Sequence, residues 1–393
     1  MKRIIHIILL LVATSLSLEA QNPFTEVLRN VEINNTTLKA YREQASADKI
    51  GNKTGINMAN PEVEFGYLWP DSPIEENRWD FSINQSFDFP TAYRYKSQLA
   101  KGKNEQVDLE YEQQRKEILQ QARLLCIELA YQNKMNKELK HRVVYAQELS
   151  DAYQKSFEQG NIDILERNKT KLDLLNTEKT LQMNEVEVNT LKSELQRMNG
   201  GVPVDIVIEL YPIYNFPLNF IEWFENVKAN NPAVKKAEHE VVLSKKQEQL
   251  TKALNLPKLT AGYARQKEEG RIFQGFTVGV SIPLWEGRNT VKHQKAQTTA
   301  LQMQQIDTQL QFRNMLKSQY DKASKLSVLL KEYDEALSVT NNRDLLKKAL
   351  DKGQLSLINY LLELSVYYET IDTFLSTERD YQLAVGELQQ WEN

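Results

Sequence analysis

The sequence predicts a mostly α-helical chain with a small β part, built as two copies of one structural unit. Three observations predict it: two long stretches free of glycine and proline, four short segments with alternating apolar residues, and an internal duplication. The uninterrupted stretches lie between Lys103 and Gln159 and between Arg288 and Lys352, and both are filled with helix-forming Glu, Gln, Lys, Leu and Ala.

At the N-terminus, Lys2 and Arg3 precede an apolar run from Ile4 to Leu18, and Leu18-Glu19-Ala20 places a small residue before Gln21. This is the layout of a secretory signal peptide, residues 1–20, cut after Ala20, and the run is short for a membrane-spanning helix. The single cysteine, Cys126, permits no internal disulfide and reads as a small buried apolar residue. Charge is nearly balanced, 49 Lys and Arg against 53 Asp and Glu, without a basic patch interleaved with aromatics, so nucleic acid is not an expected partner. No stretch beyond the leader reaches the roughly 18 apolar residues of a transmembrane helix. If the chain enters a membrane, it does so as a β-barrel.

The helices come next. Ile118, Ala122, Leu125 and Leu129 recur at helical spacing in the first long stretch. In the second, Ala323, Leu326, Leu330, Tyr333 and Leu337 step 3-4-3-4 in the manner of a coiled-coil seam. A helix from Ala92 to Gln159 would be on the order of 100 Å long, too long for the core of a compact domain. Such rods must pack side by side. Each ends at a glycine, in Gln159-Gly160-Asn161 and Lys352-Gly353-Gln354, and a new apolar helical pattern follows. Glycine takes the left-handed conformation of a helix reversal without a Cβ clash, so both sites read as tips of helical hairpins.

A period of two marks the strands. Val63, Phe65, Tyr67 and Trp69 alternate with polar or small residues, as do Trp79, Phe81, Ile83, Phe87 and Phe89, with only Gln85 breaking the set. Leu259, Ala261 and Tyr263 repeat the pattern, and Phe276, Val278, Val280, Ile282 and Leu284 complete it. Four strands of roughly 8–12 residues with one apolar face suit a transmembrane barrel. In such a barrel Val63, Phe65, Tyr67, Trp79, Phe81, Ile83, Phe276, Val278, Val280 and Ile282 face lipid, and Asp80, Asn84, Asp88, Thr277 and Ser281 face water. Alternation by itself is equally compatible with a sheet packed on a soluble core.

Self-comparison adds the duplication. Asn34-Asn35 matches Asn230-Asn231, Pro61 matches Pro257, and Gly66-Tyr67 matches Gly262-Tyr263, all at an offset of 196. Beyond the first strand pair the offset is 193, which aligns Pro90 with Pro283 and Gly160 with Gly353. The first repeat spans residues 21–201, with its strand pair at about 61–90 and its hairpin turning at Gly160. Residues 202–217 form a linker or equatorial segment. The second repeat spans 218–393, with its strand pair at about 257–284 and its hairpin turning at Gly353. Four strands cannot enclose a pore, and an open sheet edge in lipid leaves backbone groups unpaired at several kcal/mol each. Three chains would supply twelve strands, enough for an aqueous lumen.

On these features the chain resembles the outer-membrane factor (TolC-like) family of efflux and type I secretion channels. The resemblance rests on the duplicated tips, Phe157-x-x-Gly160 through Leu165 and Leu350-x-x-Gly353 onward, and on Phe89-Pro90 and Ile282-Pro283-Leu284 at the strand ends. It covers essentially the whole chain after the leader. The resemblance implies a homotrimer in the outer membrane, with four strands per chain in a 12-stranded transmembrane β-barrel. A long α-helical coiled-coil barrel would continue into the periplasm, where most of the chain would lie. It further implies docking of a periplasmic adaptor (membrane fusion protein) and an inner-membrane pump, through tips formed by Gln159, Gly160, Asn161, Ile162, Lys352, Gly353, Gln354 and Leu355. Family members commonly carry acids six and nine positions after the second tip glycine; here Asn359 and Leu362 stand there. A simple ring of paired acids is therefore not expected, and Glu166, Asn359 and Glu363 are the candidates for the periplasmic gate. The short linker points to a reduced equatorial belt.

No catalytic, cofactor or metal site is predicted. His6, His141, His239 and His293 are scattered, without ligand spacing, and neither a phosphate-binding glycine loop nor a nucleophile elbow occurs. The expectation is a passive exit duct, with metal ions or small toxic compounds as its cargo class. The competing expectation is a periplasmic coiled-coil adaptor or interaction protein, which would leave the duplicated strand pairs without a use.

Overall fold

The computed structural model describes residues 23–71, 74–205, 207–339 and 342–392. The leader at 1–20 lies outside the described residues. Each repeat begins with two short helices, α1 (Pro23–Asn34) and α2 (Thr36–Gly51) in the first. A strand pair follows, β1 (Glu62–Leu68) and β2 (Arg78–Phe87), and then the hairpin of α3 (Pro90–Glu158) and α4 (Ile164–Met198). The second repeat runs α5 (Phe220–Asn230), α6 (Pro232–Leu254), β3 (Lys258–Glu268), β4 (Arg271–Ser281), α7 (Thr290–Val339), α8 (Asn342–Asp351) and α9 (Leu357–Gln389). Among the described residues no helix is long and apolar enough to cross a membrane.

The duplicated asparagines explain the paired short helices. Asn35 Oδ1 accepts from the Leu38 amide at 2.8 Å, and Asn231 Oδ1 accepts from the Val234 amide at 2.9 Å. Each asparagine caps the N-terminus of the second helix of its pair and is buried. Helix α3 runs 69 residues without a break. The second outgoing rod comprises α7 of 50 residues and α8 of 10, on either side of residues outside those described. The strand expected to reach Phe89 ends at Phe87, because Pro90 already occupies the first position of α3, where its missing N–H costs nothing. Asp88 lies just past the end of the strand and pairs with Lys96 at 2.9 Å.

The chain divides into two compact units that cut across the repeats. One comprises residues 23–39, 115–227 and 314–392. Its core packs Phe24, Val27 and Val31 of α1 against Ala122, Cys126 and Leu129 of α3 and against Leu191 and Leu195 of α4. Cys126 is fully buried, and burial pushes its thiol up to about 12, so it behaves as an apolar filler. In the same unit the linker is pinned by aromatic contacts. Phe216 lies 4.7 Å from Tyr320 between ring centroids, and Tyr214 and Trp223 both donate to Glu392 Oε1 at 2.6 Å.

The other unit comprises residues 40–114 and 228–313 and holds the sheet. Its strands pair in the order β1-β2-β3-β4, all antiparallel. The central pairing joins the repeats, with Ile83 opposite Tyr263 and Phe87 opposite Leu259. Helices in this unit pack through Leu99, Leu243, Leu250 and Ala253.

Candidate functional site

Directly opposed residues of an antiparallel pair project from the same face, so the register assigns each side chain. One face carries Val63, Phe65 and Tyr67 of β1, then Trp79, Phe81, Ile83 and Phe87 of β2. It continues through Leu259, Ala261 and Tyr263 of β3 to Phe276, Val278 and Val280 of β4. Ile282 lies one residue past the end of β4, also exposed. Nothing in the described chain covers this face: Phe65 is 68 % exposed, Val278 83 % and Phe276 90 %. Trp79 and Phe81 are half-buried because β2 has a neighbour on each side. The sheet packed on a soluble core, which alternation left open, is therefore not what the chain builds. Large apolar side chains left bare at this density mark a surface meant for another phase or partner.

The opposite face carries Asp80, Ser82, Asn84 and Ser86 together with Thr260, Thr277 and Ser281. The duplicated glycines belong to it. A Cβ on Gly66 would lie 2.5 Å from Asp80 Oδ2, and one on Gly262 would lie 2.2 Å from Asn84 Oδ1 and 2.8 Å from the Ile83 carbonyl. Polar side chains lean across the strand at these two positions, and only glycine leaves room. On either side of the sheet, β1 and β4 have no further strand beside them among the described residues.

Both hairpin tips are built alike. Gly160 has φ +77° and Gly353 φ +67°. The Gly160 amide donates to Phe157 O at 2.9 Å and the Asn161 amide to Ser156 O at 2.9 Å; Gly353 and Gln354 repeat this on Leu350 O and Ala349 O at 2.9 and 2.8 Å. These are Schellman motifs, in which two amides beyond the helix satisfy its last carbonyls. Three residues past each glycine a cap starts the return helix: Asp163 accepts from the Glu166 amide at 2.9 Å, and Ser356 from the Asn359 amide at 3.2 Å. Gln159, Gly160, Asn161, Lys352, Gly353 and Gln354 are exposed, while Ile162 and Leu355 are half-buried.

The gate candidates lie in the first turns of the two return helices. Glu166 and Asn359 occupy equivalent positions, each at the third residue of its capped helix, and Glu363 is exposed one turn beyond Asn359. A glutamate at that position is common beside an aspartate cap and a helix dipole, which gives Glu166 a local structural reason.

Sequence reasoning missed a charged network in the same unit as the tips. The Arg142 guanidinium on α3 donates to both carboxylate oxygens of Asp372 on α9 at 2.6 and 3.1 Å, and to Glu138 at 3.1 Å. It also lies 4.2 Å from the Tyr368 ring centroid. Burial opposes its charge, but the hydrogen bonds and charges of Asp372 and Glu138 outweigh burial and hold its pKa above the ordinary value. Lys134 adds a second tie, 2.7 Å from both oxygens of Glu378 on α9. One signal was available: Leu139, Arg142, Ala146 and Leu149 step 3-4-3, so the arginine stands in an apolar seam.

Beside Arg142, helices α3, α4 and α9 line a half-open cavity of about 190 Å³, with Asp173 of α4, Tyr145 and Tyr360 in its wall. Burial raises the pKa of Asp173. A carboxyl raised in the folded state favours folding below its unfolded pKa and loses that contribution as pH rises through the folded value. Asp173→Asn is therefore expected to raise the melting temperature at pH 7.5, with the gain shrinking towards about pH 4. Circular dichroism melts at both pH values check this; an equal gain at both would contradict the burial argument.

The sequence matches no family model and no curated protein. Solved structures do match in fold. A membrane protein from Pseudomonas aeruginosa superposes with a TM-score of 0.80 at 11 % identity, covering 94 % of this chain and 92 % of that one. The outer-membrane channel OprN gives 0.77 at 11 % identity, covering 94 % and 91 %. CusC, whose structures concern transmembrane channel formation, gives 0.71 at 12 % identity, covering 95 % and 92 %. The chain thus has the fold of the TolC-type outer-membrane channels along nearly its whole length.

Proposed function

We propose that the chain is one subunit of a homotrimeric outer-membrane exit duct serving a tripartite efflux or type I secretion system. The observation that carries this reading is the sheet: one face apolar and uncovered, the other polar, with an open edge on each side. In lipid such edges must be paired, and β4 of one copy beside β1 of the next pairs them. Three copies give twelve strands around a lumen lined by Asp80, Asn84, Thr277 and Ser281. The helices, which carry exposed stripes such as Leu165, Leu172 and Leu175 on α4 and Ile358, Leu362 and Val366 on α9, continue the wall on the periplasmic side. The fold shared with known outer-membrane channels supports the same placement. A periplasmic adaptor has no use for a bare apolar sheet of this kind. The duct acts passively: Glu166, Asn359 and Glu363 stand near its periplasmic mouth, and an adaptor with its inner-membrane pump opens it by shifting the packing of the hairpins.

The test is purification of the full chain from membranes. It should partition with the outer membrane, need detergent, and run as a three-copy oligomer by light scattering. A monodisperse monomer stable without detergent would end the reading. For the tips, the paired substitution Gly160→Ala and Gly353→Ala meets open space, so its cost is conformational, about 1–2 kcal/mol per site. The trimer should persist while adaptor cross-linking drops about tenfold, equivalent to about 1.4 kcal/mol and within the strain that the two tips together take on. Undiminished cross-linking would remove the tips from the docking surface.

A further inference from the structure

Charge on the four strands is sorted between the faces. Glu62, Glu64, Arg78, Asp80, Lys258, Glu268 and Arg271 all project from the polar face. On the apolar face only Arg265 and Lys267 carry charge, and both are basic. The register places Arg265 between Phe81 and Gln274, and Lys267 between Trp79 and Ile272. Both lie close to the turn through Glu269 and Gly270, at the end of the sheet away from the helices that follow β2 and β4.

The surroundings resemble a membrane boundary. Arg265 lies 5.7 Å from the Trp79 ring centroid, a cation–π contact. Tyr263 donates to Gln274 at 3.0 Å, so the row beside Arg265 is already polar. Tyr67 and Trp69 sit 6.4 Å apart at the same end of β1, as interfacial aromatics do. Lys267 has an acidic neighbour only at 4.0 Å, Glu76, and both side chains are well exposed. β3 is an interior strand, so copies joining at the edges of β1 and β4 leave this pair facing outward.

A cation on a lipid-facing strand is costly in the hydrocarbon and tolerated at the interface. There the available counter-charge is the lipid phosphate, whose oxygens match the guanidinium fork. We propose that Arg265 and Lys267 form a binding site for the phosphate headgroup of an anionic membrane lipid, one site per subunit. This rests on the barrel reading above, which supplies the membrane.

The experiment uses the purified full-chain oligomer in micelles doped with equal phosphatidylglycerol and phosphatidylcholine, with retained lipid counted by native mass spectrometry. Wild type should retain phosphatidylglycerol on the order of tenfold over phosphatidylcholine, and the preference should fall in high salt before spraying. The double variant Arg265→Gln/Lys267→Gln should lose the preference. Lys258→Gln, the same charge change on the other face, should keep it. Equal retention of the two lipids by wild type overturns the proposal, as does an equal loss in Lys258→Gln. Should the double variant fail to assemble, the wild-type headgroup and salt series decide alone. An intact oligomer indifferent to headgroup ends this proposal only, whereas failure to form an oligomer ends the barrel reading itself.

Discussion

Arg142→Ala is expected to destabilise the helical unit by about 3 kcal/mol, the lower end of the range for breaking a buried ion pair. The arginine side chain is 8 % exposed, so its loss leaves a void as well as two carboxylates without their partner. Asp372 is 43 % exposed and can take water in exchange, which is why the upper end of the range is not expected. Glu138, at 16 %, has less recourse to solvent, but Arg343 remains 3.8 Å from it and offsets part of the loss. Arg142→Lys keeps a charge but loses the fork to Asp372 and the stacking on Tyr368, and should fall between the two. Urea unfolding followed at 222 nm measures both, and a cycle with Asp372→Ala isolates the pair. An Arg142→Ala cost below about 0.5 kcal/mol would remove the network from the account of stability. The same variant has a functional readout. The fork ties α3 of the first repeat to α9 of the second, so any sliding of one against the other must break it. In planar bilayers Arg142→Ala should therefore leak more in the resting state than wild type.

The parts of the fold that rest on local rules were legible in the residues. Period two gave the faces, since a strand offers only two, and the registers of all three strand pairs place Val63, Phe65, Phe81, Phe276 and Val278 on one of them. Glycines with no side chain to lose marked the hairpin turns, and φ at Gly160 and Gly353 is positive at both. The strand ends were less legible. Phe89 continues the alternation in sequence, but Pro90 commits the chain to helix soon after the last strand residue, Phe87, and Asp88 between them pairs with Lys96. The duplicated Asn34-Asn35 was visible as a repeat, while its role as a cap needed the helix break beside it. Arg142 was hidden for a different reason: its partner Asp372 lies 230 residues away, and no local pattern joins them. The gate candidates were chosen by position after a glycine, a spacing that fixes which turn of the helix a residue occupies but not what another subunit presents to it.

Gly262→Val is expected to prevent the sheet from closing properly, at a cost of about 3 kcal/mol, the upper end for overpacking. Three atoms crowd the added Cβ: Asn84 Oδ1 at 2.2 Å, and the Ile83 carbonyl and Thr277 Oγ1 at 2.8 Å each. Asn84 and Thr277 can rotate, but the Ile83 carbonyl is ladder backbone and moves only with β2. The control is Gly275→Val on β4, where an added Cβ has no neighbour within 4 Å. It introduces the same residue on the same face of the same sheet, and valine's preference for strands should make it neutral or stabilising by up to about 1 kcal/mol. Heat-modifiable mobility on electrophoresis, read as the fraction of folded oligomer after graded heating, distinguishes them. Asn84→Ala combined with Gly262→Val should restore part of the loss, because it removes the nearest contact and leaves the carbonyl. Equal behaviour of the two valine variants would mean that glycine at 262 serves lumen width alone. A full rescue by Asn84→Ala would mean that the backbone of β2 yields more readily than its pairing with both neighbours allows.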